Sequence, residues 1–369
     1  MKIFRLLNKK LVFCKPGNYP IILFDKGGKV FEDHFDQKKI HYLDLSKQFN
    51  FYIFLKVLFK YKYFNLFNYF LEYINIVNPK IIITYIDNNV IFYKLKFFFP
   101  KKIFLAVQNG TRNKFFFDKL KRENKLKCDY IFTWGRAISY QYKKYIECKT
   151  KVLGSFKNNR ENNNYFKVKR KSIAVIGTKF HKKNEKKYIS KPKYFISSKV
   201  FHASDLKLLP ILYKICKNLN YKLEIISKGN NDIELEKEFY KKVLKSNDFI
   251  FHGYNKNIYK ISDEVELCIN TTSSFGLESL SRGNKTCFFN VRKNSEILKH
   301  LDVFWPLKIE DTGPFWTNRL NFKQINEIIN SSIKISSANW KRKIKKIVPD
   351  LIVYNKNNYL FQKIVKKYL

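Results

Sequence analysis

The stretch Lys80-Ile81-Ile82-Ile83-Thr84-Tyr85-Ile86-Asp87-Asn88-Asn89 holds four isoleucines with no polar alternation, then turns polar. An apolar run of this kind is what a strand covered on both faces of a parallel sheet looks like. Outward from it the same unit recurs. Ile21–Asp25 and Ile40–Leu45 read as strands, and Phe49–Ile76, aromatic and dotted with lysines, reads as one or two helices. On the other side come a helix over Val90–Phe99 ending at Pro100, a strand Lys102–Val107, a helix Lys114–Glu123, a strand Tyr130–Trp134, a helix Ala137–Glu147 and a strand Lys151–Leu153. Strands alternating with helices predict βαβ units and a mostly parallel sheet.

Residues 156–170 interrupt the pattern. Lys157 to Asn164 contains five asparagines and little to bury, so it reads as a solvated linker. The alternation then restarts, with strands at Ser172–Gly177, Lys222–Ser227, Phe249–His252, Glu266–Asn270 and Thr286–Val291, and helices at Asp205–Leu219, Ile233–Leu244 and from about Phe275. The expected fold class is α/β: two doubly wound, Rossmann-like domains facing across a cleft. The expected boundaries are 1–155, a linker 156–170, a second domain 171–335, and basic C-terminal helices over 336–369. In open α/β sheets ligands bind outside the carboxyl ends of the strands, which makes the strand ends the places to search.

The length, 369 residues, suits two cores, and 45% hydrophobic with 17% aromatic content excludes a disordered or fibrous chain. The net charge is +43, and lysines outnumber arginines 63 to 10, a composition that an A+T-rich genome favours. Codon bias would spread lysine evenly, yet the charge is +18 over 1–150, +13 over 151–200, +3 over 201–320 and +9 over 321–369. A basic surface serves nucleic acid, anionic lipid or an anionic substrate. With no zinc knuckle and no Gly-aromatic strand motif, nucleic acid is not an expected partner. The six cysteines have no Cys-x-x-Cys pair and the histidines complete no zinc pattern, so free thiols and no metal are expected. Phe49 to Val77 is cut by Lys56, Lys60, Lys62 and Glu72, and no stretch reaches the roughly 18 uncharged residues of a spanning helix. A cytoplasmic protein, attached peripherally to an anionic inner membrane face, is the expectation.

Three strand ends carry chemistry. The first is Asp87-Asn88-Asn89, where Asp87 is placed to act as a base on an acceptor hydroxyl, or simply to cap the next helix. The second is Gln108-Asn109-Gly110-Thr111-Arg112, a tight turn whose Gln108 and Arg112 flank the same crevice, the guanidinium offering a fork for carboxylate or phosphate. Asn88, Gln108, Asn109 and Arg112 are the candidate acceptor contacts. The third is Thr271-Thr272-Ser273-Ser274-Phe275-Gly276-Leu277-Glu278, which follows a strand and opens a helix. Hydroxyls and free amides at a helix N-terminus make an anion site, Gly276 allows close backbone approach, and Glu278 reaches a sugar or ribose hydroxyl. Thr272, Ser273, Ser274, Gly276 and Glu278, with the cations Lys228 and Arg292 near neighbouring strand ends, are the candidate donor contacts.

These three segments, with Leu153-Gly154-Ser155-Phe156-Lys157-Asn158-Asn159, Glu236 with Phe239-Tyr240, Gly313-Pro314-Phe315-Trp316 and the region of Trp340, resemble bacterial surface-carbohydrate or O-antigen biosynthesis proteins of the GT-B glycosyltransferase type. The resemblance runs from about residue 80 to 340. It implies a nucleotide-sugar held by the second domain and an acceptor bound by the first, with no cofactor and no catalytic metal. The implied acceptor is a lipid-linked or surface-polysaccharide glycan. A basic residue is usual near the end of the strand Lys222–Ser227, and Lys228, followed by Gly229, occupies that place; the long Lys-rich segment from Lys179 to Lys199 is a departure, since a shorter donor-side loop is usual. A CDP-glycerol-type glycerophosphotransferase shares the layout but uses paired histidines, and none follows the Asp87 or Gln108 turns. A non-enzymatic basic binding protein is the third reading; it leaves the Ser-Ser-x-Gly-x-Glu cluster unexplained.

Overall fold

The computed structural model describes residues 10–161, 169–177, 187–188, 195–196, 203–227, 233–253, 256–271, 273–291 and 310–369. The chain divides into two compact units, one formed by Met1–Arg160 with Ile352–Leu369 and the other by Glu161–Leu351.

The first unit is a six-stranded sheet of β1 (Ile21–Phe24), β2 (Ile40–Leu43), β3 (Ile81–Thr84), β4 (Ile103–Val107), β5 (Lys127–Thr133) and β6 (Glu147–Val152), in the order β2-β1-β3-β4-β5-β6, every pair parallel. Both faces are covered. Ile22, Phe24, Ile82 and Phe104 enter one core, while Ile21, Leu23, Ile81, Ile83 and Leu105 enter the other. That division follows from the period of two along a strand, and explains why the sequence runs read as continuously apolar. The first core is roofed by α1 (Phe51–Tyr61) and α2 (Leu66–Val77), so Phe49–Ile76 is two helices. Asparagine does the capping: Asn50, Asn65, Asn89 and Asn113 each accept a backbone N–H at the start of α1, α2, α3 (Val90–Leu95) and α4 (Lys114–Lys121). Each such cap is worth about 0.5–2 kcal/mol over alanine. The helix expected to reach Glu147 stops earlier. α5 spans Arg136–Lys143, and Glu147 opens β6, an edge strand with alternating exposed and half-buried residues.

The second unit has β7 (Arg170–Ile176), β8 (Lys222–Ile226), β9 (Ile250–His252), β10 (Val265–Asn270), β11 (Thr286–Phe289), β12 (Thr312–Gly313) and β13 (Trp316–Thr317), ordered β9-β8-β7-β10-β11-β13-β12. The strands are parallel except for the terminal β12–β13 hairpin. Among its helices are α6 (Ala203–Asn218), α7 (Ile233–Leu244), α8 (Ile258–Glu264), α9 (Ser274–Ser281), α10 (Phe322–Lys334) and α11 (Ser337–Ile344).

The expected boundaries need two corrections. The chain's end is not a separate set of basic helices: Phe361, Ile364 and Val365 belong to the first unit's core beside Phe31, Leu153 and Phe156. Nor are Asn158 and Asn159 solvated linker. Both are fully buried. Asn159 donates to Leu153 O (2.9 Å) and Asn358 Oδ1 (2.8 Å) and accepts Asn355 N–H (2.9 Å), while Asn358 donates to Phe156 O (3.0 Å). A primary amide both donates and accepts, so buried asparagine sews two backbone segments together where composition suggests only polarity. Gly154, with φ of +87°, lets the returning chain pass; a Cβ there would sit 2.0 Å from Val353 O.

Candidate functional site

In a doubly wound sheet the crevice opens where strand order reverses. In the second unit that place lies between β7 and β10, whose carboxyl ends carry Gly177 and Thr271. Thr271 is 4% exposed, and its Oγ1 has no hydrogen-bond partner among the described residues. A buried hydroxyl left unpaired costs about 1–3 kcal/mol, and here it lines a small apolar recess with Ile176, Gly177 and Tyr240 at the switch point.

The turn after Thr271 leads into α9. Ser273 is the N-cap: its Oγ accepts Phe275 N–H (3.3 Å) and its own N–H reaches Asn270 Oδ1 (3.2 Å). Ser274 is the first helical residue and half-buried. Glu278, one turn on, is nearly buried and accepts the Tyr259 hydroxyl (3.2 Å). Gly276 has a different part from the one expected of it: the close approach it allows is to Asn270, whose side chain a Cβ would meet at 2.4–2.6 Å. Ser273, Ser274 and Glu278 are thus brought to one helix start, whereas Lys228, Thr272 and Arg292 lie outside the described residues. The following Arg282 is structural. It is buried and pairs twice with Asp263, its Nε 2.9 Å from Oδ1, and Asn284 donates to the same Oδ1 (2.7 Å).

At the end of β8, Ser227 donates to the fully buried Glu236 of α7 (2.7 Å). Deeper in that strand, Glu224 is bonded by His252 (2.6 Å) and Arg170 (3.1 Å). Burial pushes the Glu224 carboxyl up, but His252, Ser172 and Arg170 outweigh it and hold it below its ordinary value.

The first unit overturns the catalytic reading of Asp87. The side chain is fully buried and both oxygens are occupied. Oδ1 accepts Asn109 N–H (3.1 Å) and Arg112 Nη2; Oδ2 accepts Arg112 Nε (2.8 Å) and the Tyr142 hydroxyl. Burial and the facing carboxylate push the Tyr142 phenol well above its ordinary value, so it stays protonated and donating. No lone pair is left for an acceptor hydroxyl. Asp87 is no cap either, since Asn89 caps α3. Arg112 is largely committed: beyond Asp87, Nη2 donates to Asn109 Oδ1 (2.6 Å) and Nη1 to Thr111 O (3.0 Å), which leaves a single N–H and no two-donor fork for a ligand. Gln108 is a latch between strand ends: it donates to Gly110 O (2.8 Å), accepts Trp134 N–H (2.8 Å), and its carbonyl takes the Trp134 indole (3.0 Å). Asn88 is the exposed member of the set.

Missing from the sequence reading are Asp25 and Asp44, each the first residue after its strand, β1 and β2. The sequence signal is Asp25-Lys26-Gly27-Gly28, a carboxylate and two glycines after an apolar run; the strand ends at Phe24, one residue before the expected Asp25.

Among curated protein sequences none matches the chain significantly. Among solved structures, one described as a "putative UDP-N-acetylglucosamine 2-epimerase" from Listeria monocytogenes superimposes with a TM-score of 0.50 at 9% identity, over 97% of this chain and 95% of its own. A glycosyltransferase from Rickettsia africae ESF-5 gives 0.49 at 12% identity, over 98% of each chain. The wall teichoic acid polymerase TagF gives 0.49 at 12%, over 99% of this chain and 91% of its own. At 9% identity the likeness to the Listeria structure is one of fold alone, a chain of two doubly wound α/β units. A family model described as "putative O-antigen biosynthesis protein" matches residues 105–369. With two Rossmann-like sheets and a family match over most of its length, the chain belongs to that O-antigen biosynthesis family.

Proposed function

We propose that the protein is a glycosyltransferase that moves a sugar from a nucleotide-sugar, held by the second domain, to a lipid-linked or surface-polysaccharide acceptor. The observation that carries the donor assignment is the unpartnered, buried Thr271 hydroxyl at the switch point, next to the α9 N-terminus with Ser273 and Ser274. A diphosphate there meets hydroxyl donors and the positive end of a helix dipole, and Glu278 accepts from a sugar or ribose hydroxyl. The same groups stabilise the leaving phosphate as its charge develops.

Attachment to an anionic membrane face has its support in the first domain. The α1–α2 hairpin tip exposes Phe59 (76%) and Tyr63 (62%), and Phe98 (59%) packs beside it on Phe67. Lys56, Lys60 and Lys62 neighbour Phe59 and Tyr63 in sequence, Lys60 being paired with Glu72. Exposed aromatic rings with lysines close in sequence suit a headgroup layer. No helix among the described residues is long and apolar enough to cross a membrane.

The test is a thermal-shift screen of the full chain against UDP-, GDP-, dTDP- and CMP-sugars with CDP-glycerol included. A ligand at 100 times its Kd adds about 2.7 kcal/mol to stability. Stabilisation by a sugar nucleotide supports the reading, stabilisation by CDP-glycerol alone replaces it with glycerophosphate transfer, and no response to any of them contradicts a donor site.

A further inference from the structure

The first domain holds a cavity of about 320 Å³ that the donor site does not account for, lined among others by Asp25, Lys29, Glu32, Tyr42, Asp44 and Lys47. It opens at the carboxyl ends of β1 and β2. Phe24 and Leu43 are register partners, so Asp25 and Asp44, one residue further on, stand side by side.

Asp44 is only 7% exposed. Its Oδ1 accepts the Ser46 N–H (2.8 Å) and hydroxyl (2.6 Å), while its Oδ2 has no protein donor among the described residues. Asp25 accepts Asn89 Nδ2 on Oδ2 (2.6 Å) and leaves Oδ1 open. Glu32 takes the Tyr42 hydroxyl on Oε1 (2.7 Å). Burial pushes the Asp25 carboxyl up to about 6 against the pull of the Asn89 hydrogen bond, with the charge of Asp44 adding a smaller push and Lys26 a smaller pull. Lys29 and Lys47 are exposed and form no ion pair among the described residues.

Asp44 Oδ2 and Asp25 Oδ1 accept from no protein group among the described residues, so an occupant that brings hydroxyl donors suits them. A hard cation wants six or more oxygens, and no group of three acidic, histidine or cysteine side chains among the described residues is arranged to hold one. The two lysines also oppose a purely cationic guest. Carboxylates inside and ammonium groups at the mouth match a molecule with hydroxyls at one end and negative charge at the other, and the volume suits a small molecule.

We propose that this cavity binds a sugar or polyol phosphate, its hydroxyls donating to Asp25 and Asp44 and its phosphate held by Lys29 and Lys47. That this molecule is the phosphorylated end of a transferase acceptor rests on the function proposed above; the site itself does not.

Calorimetric titration of the full chain with glucose 1-phosphate and glycerol 3-phosphate tests it, with methyl glucoside and inorganic phosphate as the separate halves. Saturable binding by one of the phosphates is expected, each half binding about tenfold more weakly or worse. Asp44→Asn and the double variant Lys29→Ala/Lys47→Ala should each lose about tenfold, the scale of one charge-assisted contact. Ser274→Ala should leave this binding unchanged, which separates it from the donor site. Should Asp44→Asn fail to fold, the lysine variant, altered only at exposed positions, decides. No binding of either sugar phosphate, equal binding by inorganic phosphate, unchanged affinity in the lysine variant, or loss caused by Ser274→Ala would overturn the proposal. So would Mn²⁺ binding that Asp44→Asn abolishes while both sugar phosphates are ignored.

Discussion

Arg112 grips Asp87 with two donors, its Nε 2.8 Å from Oδ2 and its Nη2 on Oδ1, and the Tyr142 hydroxyl closes the carboxylate from the other side. The pair ties the ends of β3 and β4 and holds the Gln108-to-Arg112 turn in shape.

Asp87→Asn should therefore act on stability. It leaves the Arg112 guanidinium buried without its counter-charge, a loss of about 3–5 kcal/mol measurable by urea unfolding. Replacing both partners with apolar residues should recover part of that loss. A variant with unchanged unfolding midpoint and turnover cut by about 10²–10⁴-fold would return Asp87 to the role of base.

Gly276→Ala places a methyl against Asn270 and should cost about 1–3 kcal/mol by overpacking. The joint between β10 and α9 would shift, so donor affinity should fall with stability. Full stability in this variant would mean that the glycine serves a ligand rather than the helix packing.

Asp25 gives a pH signature. Its folded value, about 6, lies above the ordinary 3.8, so the folded state holds this proton more tightly than the unfolded chain. Its contribution is fully present below pH 3.8 and is lost as pH rises through 6. Asp25→Asn removes that loss while keeping an acceptor for Asn89, and asparagine also suits the left-handed backbone at φ of 69°. The variant should gain about 1–3 kcal/mol over wild type at pH 7.5, with the gain vanishing near pH 4. A pH-independent difference would remove the buried-carboxylate explanation.

At the hairpin tip, Phe59→Ser with Tyr63→Ser should weaken binding to vesicles containing anionic lipid without lowering stability, since both side chains are solvent-facing. Wild-type binding should fall as salt rises, because attraction between exposed charges is screened beyond about 8–10 Å. Equal binding to neutral vesicles, or none to either kind, would leave the excess lysine without a membrane role.

The fold was legible because its signals are local. Isoleucine runs such as Ile81–Ile83 mark strands covered on both faces, and the polar residues that follow mark strand ends. That Ser273, Ser274 and Glu278 gather at one helix start was legible for the same reason, since they are close neighbours in sequence around the start of α9. What escaped was non-local. Whether Asp87 faces a ligand or an arginine depends on Arg112 and on Tyr142, 55 residues away in sequence. The pairing of Asp25 with Asp44 depends on the register of two parallel strands. That Asn159 meets Asn358 across 199 residues is a tertiary fact that asparagine-rich composition hides.

The proposed donor site is tested most directly by titrating whichever nucleotide-sugar stabilises the chain into wild type, Thr271→Val and Ser274→Ala. Valine keeps the shape of threonine and removes a hydroxyl that has no protein partner, so Thr271→Val should be as stable as wild type or more so by up to about 1 kcal/mol. Both variants should bind the donor about 1–3 kcal/mol more weakly, a loss of roughly five- to 150-fold, with their folds intact. Wild-type donor affinity in both variants, or loss of affinity that follows only loss of stability, would contradict the placement of the donor phosphate at Thr271 and the α9 N-terminus.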